Sequence, residues 1–587
     1  MTYLFNQPSA FANELIEGFV AANADKVRQV PGGVVRSTRS KPGCVAVVIG
    51  GGSGHYPAFS GLVGQGMAHG AAMGNLFASP SAQQIYNVAR AAENGGGVLL
   101  AFGNYAGDVL HFGQACERLK SEGILCELLA VTDDISSASL SEQEKRRGVA
   151  GDLAVFKIAA AAADAGYGLE EVSRLARHAN HRTRSLGVAF SGCTLPGATQ
   201  PLFEVAHGTM ALGMGIHGEP GISECAIPPA DALAELFVEH LLKECPQEIA
   251  EPRGQRVAAI LNGLGSVKYE ELFVVYRRVA QLLKEAGLEV VEPEVGEFVT
   301  SFNMAGASLT LVWLDEELET FWRAPANAPA FRKGSVILAE PLNEAEWILP
   351  EVDEVPAASA ASQKSAGCVL AVVNAMAQVI YQHEEELGRI DAVAGDGDHG
   401  IGMARGVKGA LEKAHEMQQR QAGAGTLLCR AADAWADKAG GTSGALWGVA
   451  LTAIGTALGD NAVPNAQRVA LGVQHAKEGI MHFGKAKPGD KTLVDVLVPF
   501  SETLSARVEA GDSLADAWSA AAKQATLSAE ATAHLVPRMG RARPLAEKSR
   551  GTPDAGAVSL ALIVNKILEP LRQQTASEKG PLQEVSE

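Results

Sequence analysis

A change of composition at residues 351–365 divides the chain into two parts that must fold differently. The segment EVDEVPAASAASQKS loses the apolar periodicity of its surroundings and is rich in Ala, Ser, Pro and Glu, as linkers are. A chain of 587 residues is also too long for a single hydrophobic core. The sequence therefore predicts domains at residues 1–345 and 366–575, with a linker at 346–365 and a tail at 576–587.

The part before the linker alternates apolar runs with helical stretches, which is the pattern of an α/β domain. We expect two α/β lobes. Strands are expected in the first lobe at residues 44–50, 96–103 and 124–131, with an amphipathic helix between the last two. A second group comprises a strand at 254–265, a helix at 269–287 and a strand at 308–315.

The part after the linker is expected to be entirely helical. Apolar residues recur there near the helical period of 3.6, first at Val369, Val372, Met376, Val379 and Leu387. Further segments rich in Ala and Leu continue the pattern at 424–438, 443–459, 492–507, 513–531 and 555–572. No convincing strand interrupts them, and we expect about eight helices.

Charge and cysteine content narrow the class of protein. The net charge of −18 disfavours nucleic acid and anionic membranes as general partners. The eight cysteines include no CxxC pair, which favours reduced thiols in the cytoplasm. The first residues lack the basic and apolar regions of a signal peptide, so none is expected. The sequence has no run of about 18 apolar residues, so a membrane-spanning helix is not expected either.

Three aspartates in IDAVAGDGDHGIG form the sharpest motif of the helical part. Asp391, Asp396 and Asp398 lie within eight residues, where carboxylates repel each other unless cations neutralise them. Oxygen ligands of this kind suit Mg²⁺, although a solvated Asp-Gly turn is the simpler alternative. The spacing does not fit an EF-hand.

Several glycine-rich stretches accompany these aspartates. KAGGTSGALWG places glycines at the start of a helix, where free N–H groups favour phosphate, although such glycines also serve helix packing. GKAKPGDKT, residues 484–492, is not a P-loop, because Asp490 separates Gly489 from Lys491. Arg541 and a turn at 554–556 follow. Together these stretches predict a site for magnesium and a nucleotide without a Walker fold.

Three polar stretches stand out in the α/β part. They are GGGSGH with His55, GNYAGD with Asp108, and GMGIHGEPG with His217. Each histidine taken singly has a structural role as its simpler explanation. Ligands bind at strand ends in α/β proteins, however, and the three stretches together indicate a site.

These motifs, in this order and followed by DxxxxDGDxG, GGxSG and PGDKT, resemble the dihydroxyacetone kinase family in its fused, ATP-dependent form. The resemblance covers about residues 5–573. It implies a first domain that binds a short ketose and a second, an α-helical barrel, that binds Mg–ATP. It also implies a homodimer, with the sites of the two domains facing each other within a chain or across the dimer.

The resemblance assigns roles to individual residues. His217 would hold the ketone carbonyl as a hemiaminal, while Asp108, relayed by His55, would take the proton of the hydroxyl that receives phosphate. The substrate-binding residues would be Gly52, Ser53, Gly54, His55, Tyr56, Gly103, Asp108 and His217. Two Mg²⁺ ions would be held by Asp391, Asp396 and Asp398. ATP would be held by His399, Gly400, Ile401, Gly402, Thr442, Ser443, Gly444, Gly484, Thr492, Leu493, Arg541, Asp554, Ala555 and Gly556.

Two departures from the family pattern bear on the substrate. Tyr56 stands where the family commonly has Glu, and Gly103 where it has a lysine that reaches a substrate oxygen. Because Gly103 replaces this lysine, we expect the ketose pocket to lack a hydrogen-bond donor and to be larger. A larger pocket favours a longer ketose such as erythrulose. Tyr56 is either a hydrogen-bond partner for the additional hydroxyl group of erythrulose or a packing residue. Dihydroxyacetone and apulose are alternatives as substrates. A lyase that cyclises FAD and a non-catalytic regulator are alternatives of another class.

Overall fold

The chain was analysed as a computed structural model that describes residues 3–343, 354–395, 397–539 and 548–578, with side chains described as far as residue 573. They form two compact units, Met1–Pro350 and Glu351–Glu587. Helix α9 begins at Ala360, so residues 360–365, predicted as the end of the linker, are helical. The first part of the predicted linker and most of the predicted tail lie outside the described residues.

The first unit contains a six-stranded sheet in the order β1-β2-β4-β3-β5-β6. Its strands are β1 (Val27–Val30), β2 (Gly33–Arg36), β3 (Ala46–Ser53), β4 (Gly70–Leu76), β5 (Val98–Gly103) and β6 (Cys126–Val131). The four strands β4-β3-β5-β6 are parallel, and β1 and β2 extend the sheet by antiparallel pairing. The carboxyl ends of the parallel strands therefore meet at one edge.

A second sheet in the same unit is mostly antiparallel, in the order β11-β10-β13-β7-β8-β9, with β12 also beside β10. Its strands are β7 (Thr183–Ala189), β8 (Thr209–Leu212), β9 (Ser223–Ala226), β10 (Arg256–Gly263), β11 (Glu289–Val290), β12 (Glu294–Gly296) and β13 (Gly306–Leu314). A short hairpin pairs β14 (Ala326–Asn327) with β15 (Arg332–Lys333). The two predicted lobes thus correspond to two sheets.

In the described part of the first unit, eight α-helices cover these sheets. They are α1 (Phe11–Ala22), α2 (Ala82–Ala92), α3 (Ala106–Ser121), α4 (Asp152–Asp164), α5 (Leu169–His181), α6 (Ala230–Lys243), α7 (Tyr269–Glu285) and α8 (Glu316–Arg323). Helix α4 is central, because every residue but the last is buried and one apolar core joins it to β3 and β10. Its many alanines fit a helix that is packed on all sides.

The described part of the second unit contains eight α-helices and no strand. They are α9 (Ala360–Asp391), α10 (His399–Gln419), α11 (Ala424–Ala439), α12 (Gly441–Leu458), α13 (Ala466–Gly484), α14 (Val494–Glu509), α15 (Leu514–Ala531) and α16 (Ala555–Glu578). Each helix packs against the next, and α16 packs against α9. The helices therefore close into a ring, which is the predicted helical barrel.

The inside of this ring is apolar. It encloses a cavity of about 170 Å³ whose walls include Val369, Val372 and Met376 of α9, three of the positions predicted from the helical period. Helices α9 and α12 are long and apolar enough to cross a membrane by length and composition alone. Both belong to the ring, and core helices of a folded domain meet the same criterion.

Candidate active site

The motifs of the first unit meet at the carboxyl ends of β3, β4 and β5, which run parallel as neighbours. The predicted glycine loop is partly strand, since β3 continues through its three glycines to Ser53, whose hydroxyl donates to the carbonyl of Gly74 at 2.6 Å. The turn begins at Gly54, with φ +101°. A Cβ on Gly52 would lie 2.8 Å from the backbone nitrogen of Ala78, so glycine lets the loop after β4 approach.

His55 is buried at the centre of this cluster. Its ring stacks on Phe77, with centroids 4.8 Å apart, and meets His217 edge-on. Its Nδ1 lies 2.7 Å from the backbone carbonyl of Thr300. A carbonyl oxygen only accepts, so Nδ1 of His55 carries a hydrogen and Nε2 faces His217.

His217 lies in the loop between β8 and β9 and is held by Glu219. The Glu219 carboxylate accepts hydrogen bonds from Nδ1 of His217 at 3.1 Å and from its backbone N–H at 3.0 Å. Burial would raise the pKa of Glu219, but His217 and the Arg147 guanidinium outweigh it and hold the pKa well below its usual range. A Cβ on Gly215 would lie 2.0 Å from Oε2 of Glu219, which explains that glycine.

The Nε2 atoms of His55 and His217 are 3.0 Å apart. Both Nδ1 atoms carry hydrogens, so two neutral rings would oppose bare lone pairs at this distance. One further hydrogen must lie between the Nε2 atoms. Burial lowers the pKa of His55 to about 3, and the neighbouring His217 adds to this effect. Once the hydrogen between the rings leaves, Nε2 of His217 has a free lone pair.

Asp108 stands in the first turn of α3, after β5, and is buried. Ser79 donates a hydrogen bond to its Oδ2 at 2.8 Å, while Oδ1 has no partner. Burial raises the pKa of Asp108 to about 7, against the lowering effect of Ser79. This carboxyl can therefore exchange a proton near neutral pH, as a general base must.

Tyr56 and Gly103, the two departures from the family pattern, lie in different surroundings. The Tyr56 ring packs edge-on against Phe19 of α1 and is 44% exposed, which favours a packing role. Gly103 ends β5, but the space beside it is not open. A Cβ there would already lie 3.3 Å from the Tyr105 ring and 3.4 Å from Asp152 Oδ2, so the expected gain of space is not found.

In the second unit, the predicted nucleotide residues gather at one end of the ring. The N-termini of α10, α12, α14 and α16 lie at the same end, because His399 contacts Ser443 and Ser559, and a Cβ on Gly556 would lie 3.6 Å from Cβ of Leu493. The predicted residues in the first turns of these helices or directly before them are His399, Gly400, Ile401, Gly402, Thr442, Ser443, Gly444, Leu493, Asp554, Ala555 and Gly556. Thr492 precedes Leu493, and Gly484 ends α13. Helix N-termini attract phosphate through free N–H groups.

His399 ties three of these N-termini together. Its Nε2 lies 3.0 Å from the hydroxyl of Ser559 on α16, and its Nδ1 lies 3.3 Å from the hydroxyl of Ser443 on α12. The loop before α14 is fixed by Asp495, which accepts from the N–H of Thr492 at 2.8 Å. Lys491 turns to the carbonyl of Ser549 at 2.7 Å, unlike the lysine of a P-loop.

Acidic side chains lie at the same end of the ring. Burial and the Asp391 carboxylate raise the pKa of Asp398 to about 6, and burial raises that of Asp554 to about 7, with Asp391 adding to the effect. Neither forms an ion pair with a described residue. Neighbouring carboxylates without a basic partner fit a divalent cation. Asp396 and Arg541, the remaining predicted residues, lie outside the described residues.

Another cluster of metal-binding residue types, Cys44, His69 and Asp164, is not built for a metal. Nδ1 of His69 accepts a hydrogen bond from the N–H of Val47 at 3.2 Å, so Nε2 carries the hydrogen. Both oxygens of Asp164 pair with Arg36, at 2.9 and 3.1 Å. These contacts hold the core together.

Sequence reasoning did not single out Ser79, Tyr105 or Glu219. Glu219 could have been found, because it lies two residues from His217 in the HGEPG stretch. The Tyr105 ring meets His217 edge-on, with centroids 4.6 Å apart, and belongs to the GNYAGD stretch. Ser79 is 29 residues from Asp108, and nothing in the sequence points to the contact.

Comparison with known proteins gives a family for both units. A Dak1 domain matches residues 17–330, and a DAK2 domain matches residues 393–569. The matches cover the cluster around His217 and most of the helical ring.

Relatives match along nearly the whole chain. The chain is 70% identical over 577 residues to L-erythrulose kinase of Pectobacterium atrosepticum, covering 98% of each. It is 52% identical over 585 residues to D-erythrulose kinase of Mycolicibacterium smegmatis, covering 98% of this chain and all of the relative. Its fold matches the crystal structure of the dihydroxyacetone kinase from C. freundii in complex with AMP-PNP and Mg²⁺, with a TM-score of 0.51 and 30% identity over 97% of this chain and 99% of the other.

Proposed function

Since the chain belongs to the dihydroxyacetone kinase family, with a Dak1 and a DAK2 domain in one polypeptide, we propose that it transfers phosphate from ATP to a terminal hydroxyl of a short-chain ketose. The observation that carries the ketose assignment is the contact between His55 and His217. Erythrulose is the proposed substrate, and the 70% identity to an L-erythrulose kinase favours the L enantiomer.

The histidine pair supplies what carbonyl capture requires. In the proposed step, Nε2 of His217 adds to the ketone carbon, and the electron pair of the C=O bond moves to oxygen. The hydrogen between the two rings passes to that oxygen, which gives a hydroxyl group. His217 then carries a positive charge, which the Glu219 carboxylate beside Nδ1 stabilises. Because this bond needs a carbonyl, the step selects ketoses over polyols such as glycerol.

Asp108 is the proposed general base for phosphoryl transfer. In its ionised form it takes the proton of the attacking hydroxyl, directly or through His55. General-base catalysis of this kind raises the rate by a factor of the order of 10²–10⁴. The unpartnered Oδ1 is the oxygen available for that proton. Ser79 holds the other oxygen and fixes the orientation of the carboxyl.

The helical ring is the proposed site for ATP and magnesium. The N-termini of α10, α12, α14 and α16 would hold the phosphates, and Asp391 and Asp398 would hold the metal, with Asp396 as a further ligand. Magnesium bound with ATP neutralises the charge that spreads over the transferred group. We propose two ions, since three aspartates are more than one Mg²⁺ usually takes beside phosphate oxygens.

A substrate panel tests the proposed function. We expect kcat/KM with ATP and Mg²⁺ to be highest for L-erythrulose, compared with D-erythrulose, dihydroxyacetone, apulose and glycerol. Release of ADP in a coupled assay measures the rate. A preference of tenfold or more for dihydroxyacetone would contradict the proposed substrate, and absence of ketose-dependent ADP release would contradict the kinase.

Carbonyl capture has its own test. A crystal soaked with L-erythrulose should show continuous density between Nε2 of His217 and the ketone carbon. The His217→Ala variant should lose most of its preference for the ketose over glycerol. Well-resolved ketose density separated from the imidazole by van der Waals distance would contradict the covalent step.

We also propose that the chain acts as a homodimer in the cytoplasm. None of its eight cysteines forms a disulfide, which fits a reducing compartment. Light scattering at assay concentration measures the mass, and a fully active monomer would contradict the dimer.

A further inference from the structure

Three unpartnered polar atoms belong to residues around the end of β5. The hydroxyl of Tyr105, Oδ1 of Asp108 and Oδ1 of Asp152 are all buried and make no hydrogen bond. The proposed mechanism uses Asp108 and leaves the other two without a role. A buried hydrogen-bonding group without a partner costs free energy in the folded protein, so its presence needs an explanation.

Asp152 is the first residue of the buried helix α4 and lies beside Gly103, at the end of β5. Its Oδ2 lies 3.4 Å from where a Cβ on Gly103 would stand, and the Tyr105 ring lies 3.3 Å from the same point. The Tyr105 ring also contacts the ring of His217. Gly103 therefore lets the Asp152 carboxyl approach the loop that packs on His217.

The neighbouring groups do not explain why a carboxyl group is buried at Asp152. The nearby N–H groups of Val149 and Gly151 donate to Asp133 instead, at 2.8 and 2.7 Å. Among the residues that the structure describes, no basic side chain forms an ion pair with Asp152. Burial, Asp133 and Asp108 raise the pKa of Asp152 well above its usual range, which favours the protonated carboxyl, a group that can both donate and accept.

We propose that Asp152, together with the Tyr105 hydroxyl, binds the hydroxymethyl group that a four-carbon ketose carries beyond a three-carbon one. Asp152 is then a specificity residue for the ketose that His217 holds. The carboxyl and the phenol supply one donor and one acceptor each, which is what an added hydroxyl group needs. This inference rests on the proposed function, because it assumes that the ketose lies against His217.

Steady-state kinetics with two ketoses tests the role. In Asp152→Ala we expect kcat/KM for L-erythrulose to fall at least tenfold, while that for dihydroxyacetone changes less than threefold. Asp152→Asn, whose amide also donates and accepts, should keep the preference of the wild type within threefold. Tyr105→Phe, which removes only the hydroxyl, should lower the preference in the same direction as Asp152→Ala. Ser173→Ala, which removes a buried unpartnered hydroxyl on α5, is the matched control and should change neither ketose.

The outcomes separate this inference from the proposed function. If the wild type phosphorylates neither ketose, the proposed function is wrong. If the wild type prefers L-erythrulose but Asp152→Ala and Tyr105→Phe lower both ketoses equally, the proposed function stands and Asp152 is structural. If Asp152→Ala does not fold, Asp152→Asn and Tyr105→Phe still test the inference. It is overturned if Tyr105→Phe keeps the preference for L-erythrulose over dihydroxyacetone while Asp152→Asn loses that preference.

Discussion

The hydroxyl of Ser79 donates a hydrogen bond of 2.8 Å to Oδ2 of Asp108. This bond stabilises the ionised carboxylate, while burial favours the protonated acid. The balance brings the pKa of Asp108 to about 7, where a general base works efficiently. A serine 29 residues away thereby sets the pH range of the proposed reaction.

Removal of this hydrogen bond should move the pH profile. We expect kcat/KM for the ketose to rise with pH and level off above about 7, because Asp108 must be ionised to accept a proton. In Ser79→Ala the pKa of Asp108 should rise, which moves the inflection upward by on the order of one pH unit. Ser121→Ala, an exposed serine on α3, is the control. An inflection that does not move would show that another group limits the rate.

The same carboxyl should cost stability. Its folded pKa lies above the unfolded value, so the folded state loses stability as pH rises from about 4 to about 7, and the loss persists above pH 7. Asp108→Asn should therefore abolish turnover and yet raise the melting temperature at pH 8 by a few degrees. The gain should shrink at pH 5, where the wild-type carboxyl is protonated. Calorimetry at both pH values measures this, and a lower melting temperature at pH 8 would contradict the buried charge.

Glu219 should matter for capture of the ketose and not for ATP. In Glu219→Gln the positive charge that forms on His217 loses its counterion, so we expect kcat/KM for the ketose to fall on the order of 10²-fold. The KM for ATP should stay within twofold. Glu224→Gln, an exposed carboxylate on β9, is the control. Equal losses for both substrates would indicate a structural role instead.

The metal assignment separates the two units functionally. In Asp398→Asn we expect the Mg²⁺ concentration for half-maximal activity to rise at least ~10-fold, because a ligand charge is lost. Binding of L-erythrulose, measured by calorimetry without ATP, should not change. Glu416→Gln, near the other end of α10, is the control. Unchanged dependence on Mg²⁺ would contradict the assignment.

The strands that sequence reasoning identified share long β-branched or leucine-rich runs. β3, β5, β6, β10 and β13 are of this kind, and their continuous apolar runs carried the prediction. β4 reads GAAMGNL, which lacks β-branched residues, so intrinsic preference gives no signal and sheet pairing decides its structure. The helical ring was predictable because apolar positions recur every 3.6 residues along most of its helices.

The candidate site divides in a similar way. His55, Asp108 and His217 stand in glycine-rich motifs, which the sequence displays directly. The effect of Gly103 was mispredicted, because the space beside it is filled by Tyr105, two residues later, and by Asp152 of α4, about 50 residues later. Asp152 and Ser79 reach the site only through tertiary packing. The predicted homodimer stays a prediction.

Closure of the helical ring by α9 and α16 has a consequence for synthesis of the protein. The first helix of the ring leaves the ribosome long before the last, so its apolar inner face has no partner from α16 during most of translation. The contact between them is the most distant in sequence within the ring, and such contacts form slowly. A nascent chain that stops before residue 555 should therefore expose the apolar interior to chaperones and proteases, and completion of the final helix makes the domain resistant.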